Sequence, residues 1–287
     1  MDKVKKASSD NITISLPRLS SLNLFKLNLS TTLLLLFVFA AGLIIGSLYT
    51  KIQYLEKNGT AAPAAAAPAQ PAQQGAQPAP VTVTLDQIKA LFTDKNITFG
   101  DVKSAKNLIV EVADPSCPFC HVAAGKNPQL NTEMGSQFTL VADGGTYLAP
   151  VPEIKKLVDS GKAAFVFLYT PGHGNGEMGT KALYCAYETD DFWPVHDKLM
   201  TNEGYDLLNE TVKNDKEKSG ELAEFLSDAT DSVTLKTCLD SGKYDEKLQE
   251  DVAAASSIGA TATPGFFINE KAFSGAYSWT DMQSFVK

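Results

Sequence analysis

The chain has 287 residues, 44% of them hydrophobic and 20% charged, with a formal net charge of −8. That composition excludes a disordered acidic tail and a fibrous repeat, and four cysteines in so long a chain are too few for a disulfide scaffold. The body beyond Lys57 is acidic and contains no Arg, Arg18 being the last. This excludes nucleic acid as a partner, because its binding needs a cationic face to displace counterions from phosphates.

Lys3, Lys5, Lys6, Arg18 and Lys26 precede 24 uncharged residues that run to Thr50. At 1.5 Å per residue these give about 36 Å of helix, enough for a hydrocarbon core of roughly 30 Å. Residues 31–50 are read as a single transmembrane helix. A cleaved signal peptide is the alternative, but its apolar region usually runs to about 7–15 residues. The basic start places residues 1–30 in the cytoplasm and the rest of the chain in an oxidising compartment outside it. Residues 51–80 are read as a linker, because Gly59 to Pro80 is almost entirely Ala, Pro and Gln, carries no charge, and cannot continue a helix through its prolines.

Residues 81–287 carry the folded domain. Thr84 is the expected N-cap of a short helix with Leu85, Ile88, Leu91 and Phe92 on one face. Strands are expected at Ile97 to Val102 and at Leu108 to Ala113, the second a near-continuous apolar run of the kind buried on both faces of a sheet. Asp114-Pro115-Ser116 ends it. A helix then starts at Cys117, with Pro118 tolerated in its first turn and Gly125 and Pro128 breaking it early. Ala163 to Tyr169 is a second buried strand, followed by the turn-rich Thr170 to Gly174. Helical patterns fill an insertion at about 176–258. Phe266 to Ile268 and Lys271 to Phe273 form a hairpin about Asn269-Glu270, and a last helix opens at Trp279.

The chemistry lies at Cys117-Pro118-Phe119-Cys120. Two thiols at i and i+3 on a first helical turn put the first sulfur beside free backbone N–H groups and the positive end of the helix dipole, which favours thiolate. Cys117 is then the exposed nucleophile and Cys120 its resolving partner. With His121 the string also matches a c-type haem attachment site, half a zinc site has the same spacing, and two cysteines can be plain core residues. Zinc is poorly supplied, since no second C-x-x-C exists and the chain has three His. Glu111, between Val110 and Val112 on the buried strand, is costly there unless it has work or a partner, and it is placed to take the proton of Cys120. Thr263-Pro264 precedes the hairpin, where a proline is confined to a strand start or tight turn and a cis bond is possible.

Taken together, the strand bearing Glu111, the C-x-x-C turn, Thr263-Pro264 and the helical insertion resemble the thioredoxin superfamily, and within it the DsbA-type disulfide oxidoreductases of the bacterial envelope. The resemblance covers Leu108 to the C-terminus. It implies an α/β, thioredoxin-like fold with an inserted helical domain, here preceded by one transmembrane helix and a Pro/Ala-rich linker. It implies Cys117 and Cys120 as the redox pair, Glu111 as the buried acid and Pro264 as a cis-proline facing the disulfide. Thr263, Pro118, Phe119 and His121 are the expected substrate-binding positions. No cofactor is implied. The expected partners are exported cysteine-containing proteins and a quinone-linked membrane oxidase that restores the disulfide. Cys185 and Cys238, on separate helices of the insertion, are expected to pair as a structural disulfide in that compartment, as in some relatives.

The early break at Gly125 and Pro128 and the length of a later segment depart from the family pattern. Met134 to Leu157 is longer than the usual link to the next strand and reads more readily as a surface excursion than as a cover for the site. His121 and His173 could stabilise the thiolate, though helix-surface and loop positions are the plainer reading, and His196 is expected to pack with its own helix. The activity expected is disulfide donation, with reductase or isomerase action on the same fold, or a haem electron carrier, as alternatives.

Overall fold

The computed structural model describes residues 83–287. The assignments made for residues 1–30, 31–50 and the linker 51–80 therefore lie outside the described residues. Among the described residues, no helix is long and apolar enough to cross a membrane.

Two fully buried strands form the centre, β2 (Asn107–Ala113) and β3 (Ala163–Tyr169), and they pair in parallel from Asn107↔Ala163 to Ala113↔Tyr169. Their unbroken apolar sequences suit strands covered on both faces. β1 (Ile97–Phe99) adds antiparallel to β3, β4 (Gly265–Ile268) antiparallel to β2, and β5 (Lys271–Ser274) antiparallel to β4, giving the order β1-β3-β2-β4-β5. β1 ends before the expected Val102. The cause is Gly100, at φ +76°, where the backbone leaves the strand so close to Ala163 O that a side chain there would clash.

Strand alternation divides the core into two layers. Leu108, Val110 and Val112 with Ala164, Val166 and Leu168 face one side. There they meet Ile88 of α1 (Leu85–Lys89), whose Thr84 and Gln87 form a capping box, and Ala255 of α10 (Asp245–Ser257). Ile109, Ala113, Phe165, Phe167 and Tyr169 face the other side. This second layer is covered by α2 (Pro118–Ala124), α4 (Pro150–Asp159), α5 (Glu177–Tyr187), α6 (Phe192–Leu199) and α11 (Trp279–Met282). By the same alternation Glu111 points into it.

Between these elements lie the short α3 (Pro128–Glu133), α7 (Asn202–Asp206), a π-turn over Leu207–Val212, α8 (Ser219–Phe225) and α9 (Ser232–Ser241). Cys185 on α5 and Cys238 on α9 are joined by a disulfide, with Cα atoms 6.0 Å apart. Buried Asp251 of α10 accepts from the Tyr169 amide at 3.1 Å and from the Tyr184 hydroxyl at 2.8 Å, and it pairs with Lys247. A carboxylate so supplied with donors can be buried, and it ties α10 to the end of β3.

Candidate active site

β2 delivers the chain to the site at Ala113, and Asp114 then organises everything around it. The Asp114 carboxylate accepts from Ser116 N and Oγ, both at 2.7 Å, and across the site from the amides of Gly172 at 2.7 Å and His173 at 2.9 Å. One buried side chain thus locks the turn before α2 to the turn after β3. The sequence reading treated Asp114 only as a strand terminator; its signal was an Asp two residues before a Ser in a Pro-containing turn, the pattern of an Asx-turn.

Cys117 is the N-cap of α2 and Pro118 its first residue. Its carbonyl accepts from Cys120 N at 3.0 Å and His121 N at 3.2 Å, so the first turn closes around the sulfur pair. The helix is seven residues long and stops at Gly125 in the left-handed conformation, at φ 65°. Its neighbour Asn127 caps α3, where Pro128 is the first residue. The early break expected at Gly125 and Pro128 is therefore present.

The two thiols are opposites. Cys117 is lowered from 9.0 to about 6, first by a hydrogen bond from the Cys120 thiol, then by the Thr263 side chain and the amides of Cys120 and Phe119, all against the cost of burial. Cys120 is pushed well above 9.0, chiefly by burial, then by the hydrogen bond and charge of Cys117. The free N–H groups of the helix start do favour the thiolate as expected, but they are not the leading influence, which is the hydrogen bond from the partner thiol. Nor is Cys117 open to solvent, being only 4% exposed. It is overhung by Thr263, whose carbonyl accepts from Sγ at 3.5 Å, and by Gly172, where a Cβ would collide with Thr263 Oγ1 and lie 3.2 Å from Cys117 Cβ. The Thr263 hydroxyl has no hydrogen-bond partner among the described residues, which leaves it available to a thiolate at Cys117. The Thr263-Pro264 peptide is cis. Gly172 was read from the sequence as a turn residue only.

Glu111 is 1% exposed, and burial raises it from 4.5 to about 7, with His196 acting weakly in the opposite sense. Its ionised form raises Cys120 further, so the two groups compete for one proton. The Cys120 sulfur itself accepts from Asp114 N at 3.4 Å.

His121 corrects the sequence reading. It is fully buried, not on the helix surface, and it touches no position a substrate could occupy. Nε2 lies 2.8 Å from Pro115 O and Nδ1 3.0 Å from Met200 O, and burial lowers the ring to about 4. Each ring nitrogen lies against a backbone carbonyl, one of them receiving the single N–H of the neutral ring, and the buried ring turns neither nitrogen to a site where a haem iron could sit. His173 is exposed on its loop. His196 is buried and stacks on Phe192, within its own helix as expected.

The segment from Met134 to Leu157 is a surface excursion only as far as Thr146, and from Tyr147 on it is built into the core. Tyr147 and Ala149 pack with Val122 of α2, and the Tyr147 hydroxyl donates to Tyr277 O at 3.3 Å. Phe119, 39% exposed beside the sulfur pair, stands edge-on to Phe138 at 5.8 Å. Phe138, Tyr147, Gly275 and Tyr277 wall a cleft of about 320 Å³ next to it. Phe138 and Tyr147, 18 and 27 positions after Cys120 in sequence regions without periodicity, gave no signal of this.

A family model described as thioredoxin matches residues 151–287, a span that begins after the C-x-x-C turn. Among curated proteins, a Na(+)/H(+) antiporter NhaA of Herminiimonas arsenicoxydans is 23% identical over 175 residues, which is 61% of this chain and 22% of the antiporter. The chain thus spans about a fifth of that relative. Among solved structures, alpha-DsbA1 of Wolbachia pipientis is similar at 19% identity, with 70% of this chain and 94% of that one covered and a TM-score of 0.50. A cysteine-substituted variant of that protein gives 18% identity, 71% and 94% coverage and a TM-score of 0.51. Oxidised BdbD of Bacillus subtilis is similar at 21% identity, with 67% and 91% covered and a TM-score of 0.49. With the mixed sheet, the helical insertion and the alpha-DsbA1 structures in agreement on the fold, the described part of this chain is a thioredoxin-like α/β domain.

Proposed function

We propose that this domain is a thiol:disulfide oxidoreductase that exchanges a Cys117–Cys120 disulfide with the cysteines of exported proteins, working as an oxidase. The observation that carries the reading is the opposition of the two sulfurs one helical turn apart, Cys117 lowered to about 6 and Cys120 held well above 9.0. A substrate thiolate attacks Cys117 Sγ and the Cys117–Cys120 bond breaks. Cys120 departs as a thiolate and takes a proton from Glu111, which near neutrality is divided between its two forms. A second substrate thiolate then attacks the substrate sulfur of the mixed disulfide and expels Cys117, a good leaving group because its thiolate is stabilised. The substrate loses two electrons and two protons as its disulfide forms, and the protein is left reduced. Thr263 and Pro264 face the reacting sulfur, while Pro118, Phe119 and the cleft beside them receive the apolar residues that flank a substrate cysteine.

We infer the compartment from the basic and then apolar N-terminal sequence, and the electron acceptor from the family resemblance. Residues 31–50 hold the domain at the membrane on its extracytoplasmic side, the linker gives it reach, and a quinone-linked membrane oxidase returns the disulfide. Two experiments test the proposal. Cys120→Ala keeps the nucleophile and removes the resolving thiol, so mixed disulfides through Cys117 accumulate on non-reducing gels; equal trapping by Cys117→Ala would reverse the roles. The equilibrium of the Cys117–Cys120 couple against glutathione gives the direction: a disulfide that glutathione reduces readily supports the oxidase, and one that resists it makes the domain a reductase.

A further inference from the structure

The cleft beside Phe119 has a chemistry that the exchange reading leaves unused. Its walls are the aromatic side chains of Phe138, Tyr147 and Tyr277. The first two stand edge to face with ring centroids 5.6 Å apart. Tyr277 is 45% exposed, and its carbonyl holds the Tyr147 hydroxyl. Aromatic faces carry negative potential and attract cations. Asp281 is the one charged residue of the lining, which contains no Lys, Arg or His. It lies exposed in the first turn of α11. Its amide donates to Ser278 O at 3.0 Å, and among the described residues its carboxylate has no ion-pair partner. Three aromatic rings and an unpaired carboxylate on one cleft make a surface suited to a cation.

The cleft is fixed to the reacting sulfur from two sides. On one, Phe138 meets Phe119 of the C-x-x-C turn at 5.8 Å. On the other, Gly275 N donates to Pro264 O at 2.8 Å, and the preceding Thr263 carbonyl lies 3.5 Å from Cys117 Sγ. Gly275 has φ +110°, a conformation that favours glycine and lets the chain after β5 turn back onto Pro264. The far end of this turn is pinned by Ser278, whose hydroxyl accepts from Leu148 N at 3.1 Å, and by Trp279 N, which donates to Leu148 O at 2.7 Å. The walls therefore stand in place before a substrate arrives. An extended chain advances about 3.3 Å per residue, so a substrate whose cysteine reaches Cys117 delivers its neighbouring side chains to the cleft.

We propose that this cleft is a cation subsite that takes the side chain of a Lys or Arg close in sequence to the substrate cysteine, with Asp281 as the specificity-determining residue. The inference rests on the exchange reading above and narrows its substrates to cysteines with a basic neighbour. Lys and Arg suit both parts of the lining. Their methylene stems pack on the aromatic walls as an apolar flanking residue would, while the charged head meets the ring faces and the carboxylate. An acidic neighbour would instead meet a like charge with no cation beside it. The acidic body of the domain attracts basic segments at long range whatever their sequence order. The cleft adds a demand for position, because its walls are fixed relative to Cys117.

The test measures the second-order rate at which short single-cysteine peptides open the Cys117–Cys120 disulfide of the full chain, by acid quench and alkylation of the freed thiols. A Lys is moved through the positions on either side of the peptide cysteine and compared at each with norleucine, which keeps the stem without the charge, and with Glu. Each rate is referred to the thiolate fraction of its peptide, because a nearby charge shifts the thiol. At one position Lys is expected to outrun norleucine by about three- to tenfold, with Glu the slowest. Asp281→Asn is expected to bring the Lys-to-norleucine ratio at that position down to its value at the others, and Asp281→Lys to turn the preference toward Glu. A ratio equal at every position, or one that Asp281→Asn leaves unchanged, would show bulk attraction alone and overturn the proposal. Equal rates for Lys and norleucine throughout would make the cleft merely apolar and overturn it as well. Because both peptides are compared on the same protein, a loss of activity common to them cancels from the ratio. Failure of the unmodified disulfide to react with any peptide strikes the exchange reading itself, and is thereby distinguished from failure of the subsite.

Discussion

If Cys117 is a thiolate stabilised by the fold, reduced protein must gain stability as the pH rises through neutrality. The thiol titrates at about 6 in the folded state against 9.0 for an unperturbed cysteine. Because the folded value is the lower one, the contribution is complete above 9.0, shrinks as the pH falls, and is gone below about 6. At about 1.4 kcal/mol per unit the full interval amounts to about 4 kcal/mol, of which about 1.4 kcal/mol is present at pH ~7. Solvent screening takes little from this, since Cys117 is 4% exposed. Glu111 acts with the opposite sign at lower pH, so the measurement is a difference: urea unfolding of the reduced chain and of reduced Cys117→Ser, followed by Trp193 and Trp279 fluorescence at a series of pH values, with the Cys185–Cys238 bridge left oxidised in both. Glu111 is common to the two proteins and cancels. The stability gap is expected to widen steadily from about pH 6 to 9. A constant gap, or one that narrows, would refute the thiolate and with it the basis for an oxidising disulfide.

Glu111 is raised from 4.5 to about 7, so its contribution is fully present below 4.5 and is lost as the pH rises through 7. Glu111→Gln is therefore expected to remove a pH-dependent loss of up to about 3 kcal/mol and to be relatively more stable at alkaline pH while exchanging disulfides more slowly, as denaturant midpoints and stopped-flow fluorescence will show. Gly172→Ala puts a methyl group against Thr263 Oγ1 and 3.2 Å from Cys117 Cβ. It is expected to cost about 1–3 kcal/mol by overpacking and to raise the Cys117 titration midpoint, read from thiolate absorbance. An unshifted midpoint would mean that the two turns move apart freely. Replacing Cys185 and Cys238 together by Ala opens a loop closed across 53 positions. On the chain-entropy model this costs about 4 kcal/mol, measurable as a lower denaturant midpoint with the exchange rate at Cys117 retained.

The fold was legible where burial leaves a local trace. β3 occupies Ala163–Tyr169 as expected because an unbroken apolar run of seven residues has few other uses. The hairpin was legible because Asn269, at φ 55°, supplies a turn between two short apolar runs. The end of α2 was legible because Gly125 is a residue that takes the left-handed cap at little cost. β1 was read too long because what stops it is the approach of Ala163 O to Gly100, a contact with a strand 63 positions later. The terminal helix was read from Trp279 correctly, yet it runs only to Met282 before tightening into a 3₁₀ turn at Gln283–Phe285.

At the site, identity was legible and environment was not. Two cysteines three apart and an acid in an apolar strand are written locally, so Cys117, Cys120 and Glu111 stand out. What those groups experience comes from residues that meet them only in three dimensions. His121 looks like a surface helix residue until Met200, 79 positions away, offers it a carbonyl. Asp114 looks like a strand end until the amides of Gly172 and His173, 58 and 59 positions away, close on its carboxylate. The surroundings of a cysteine pair thus depend on loops that the fold brings to it, Thr263 and Gly172 over Cys117 and Asp114 holding the two turns together, and not on the C-x-x-C string alone.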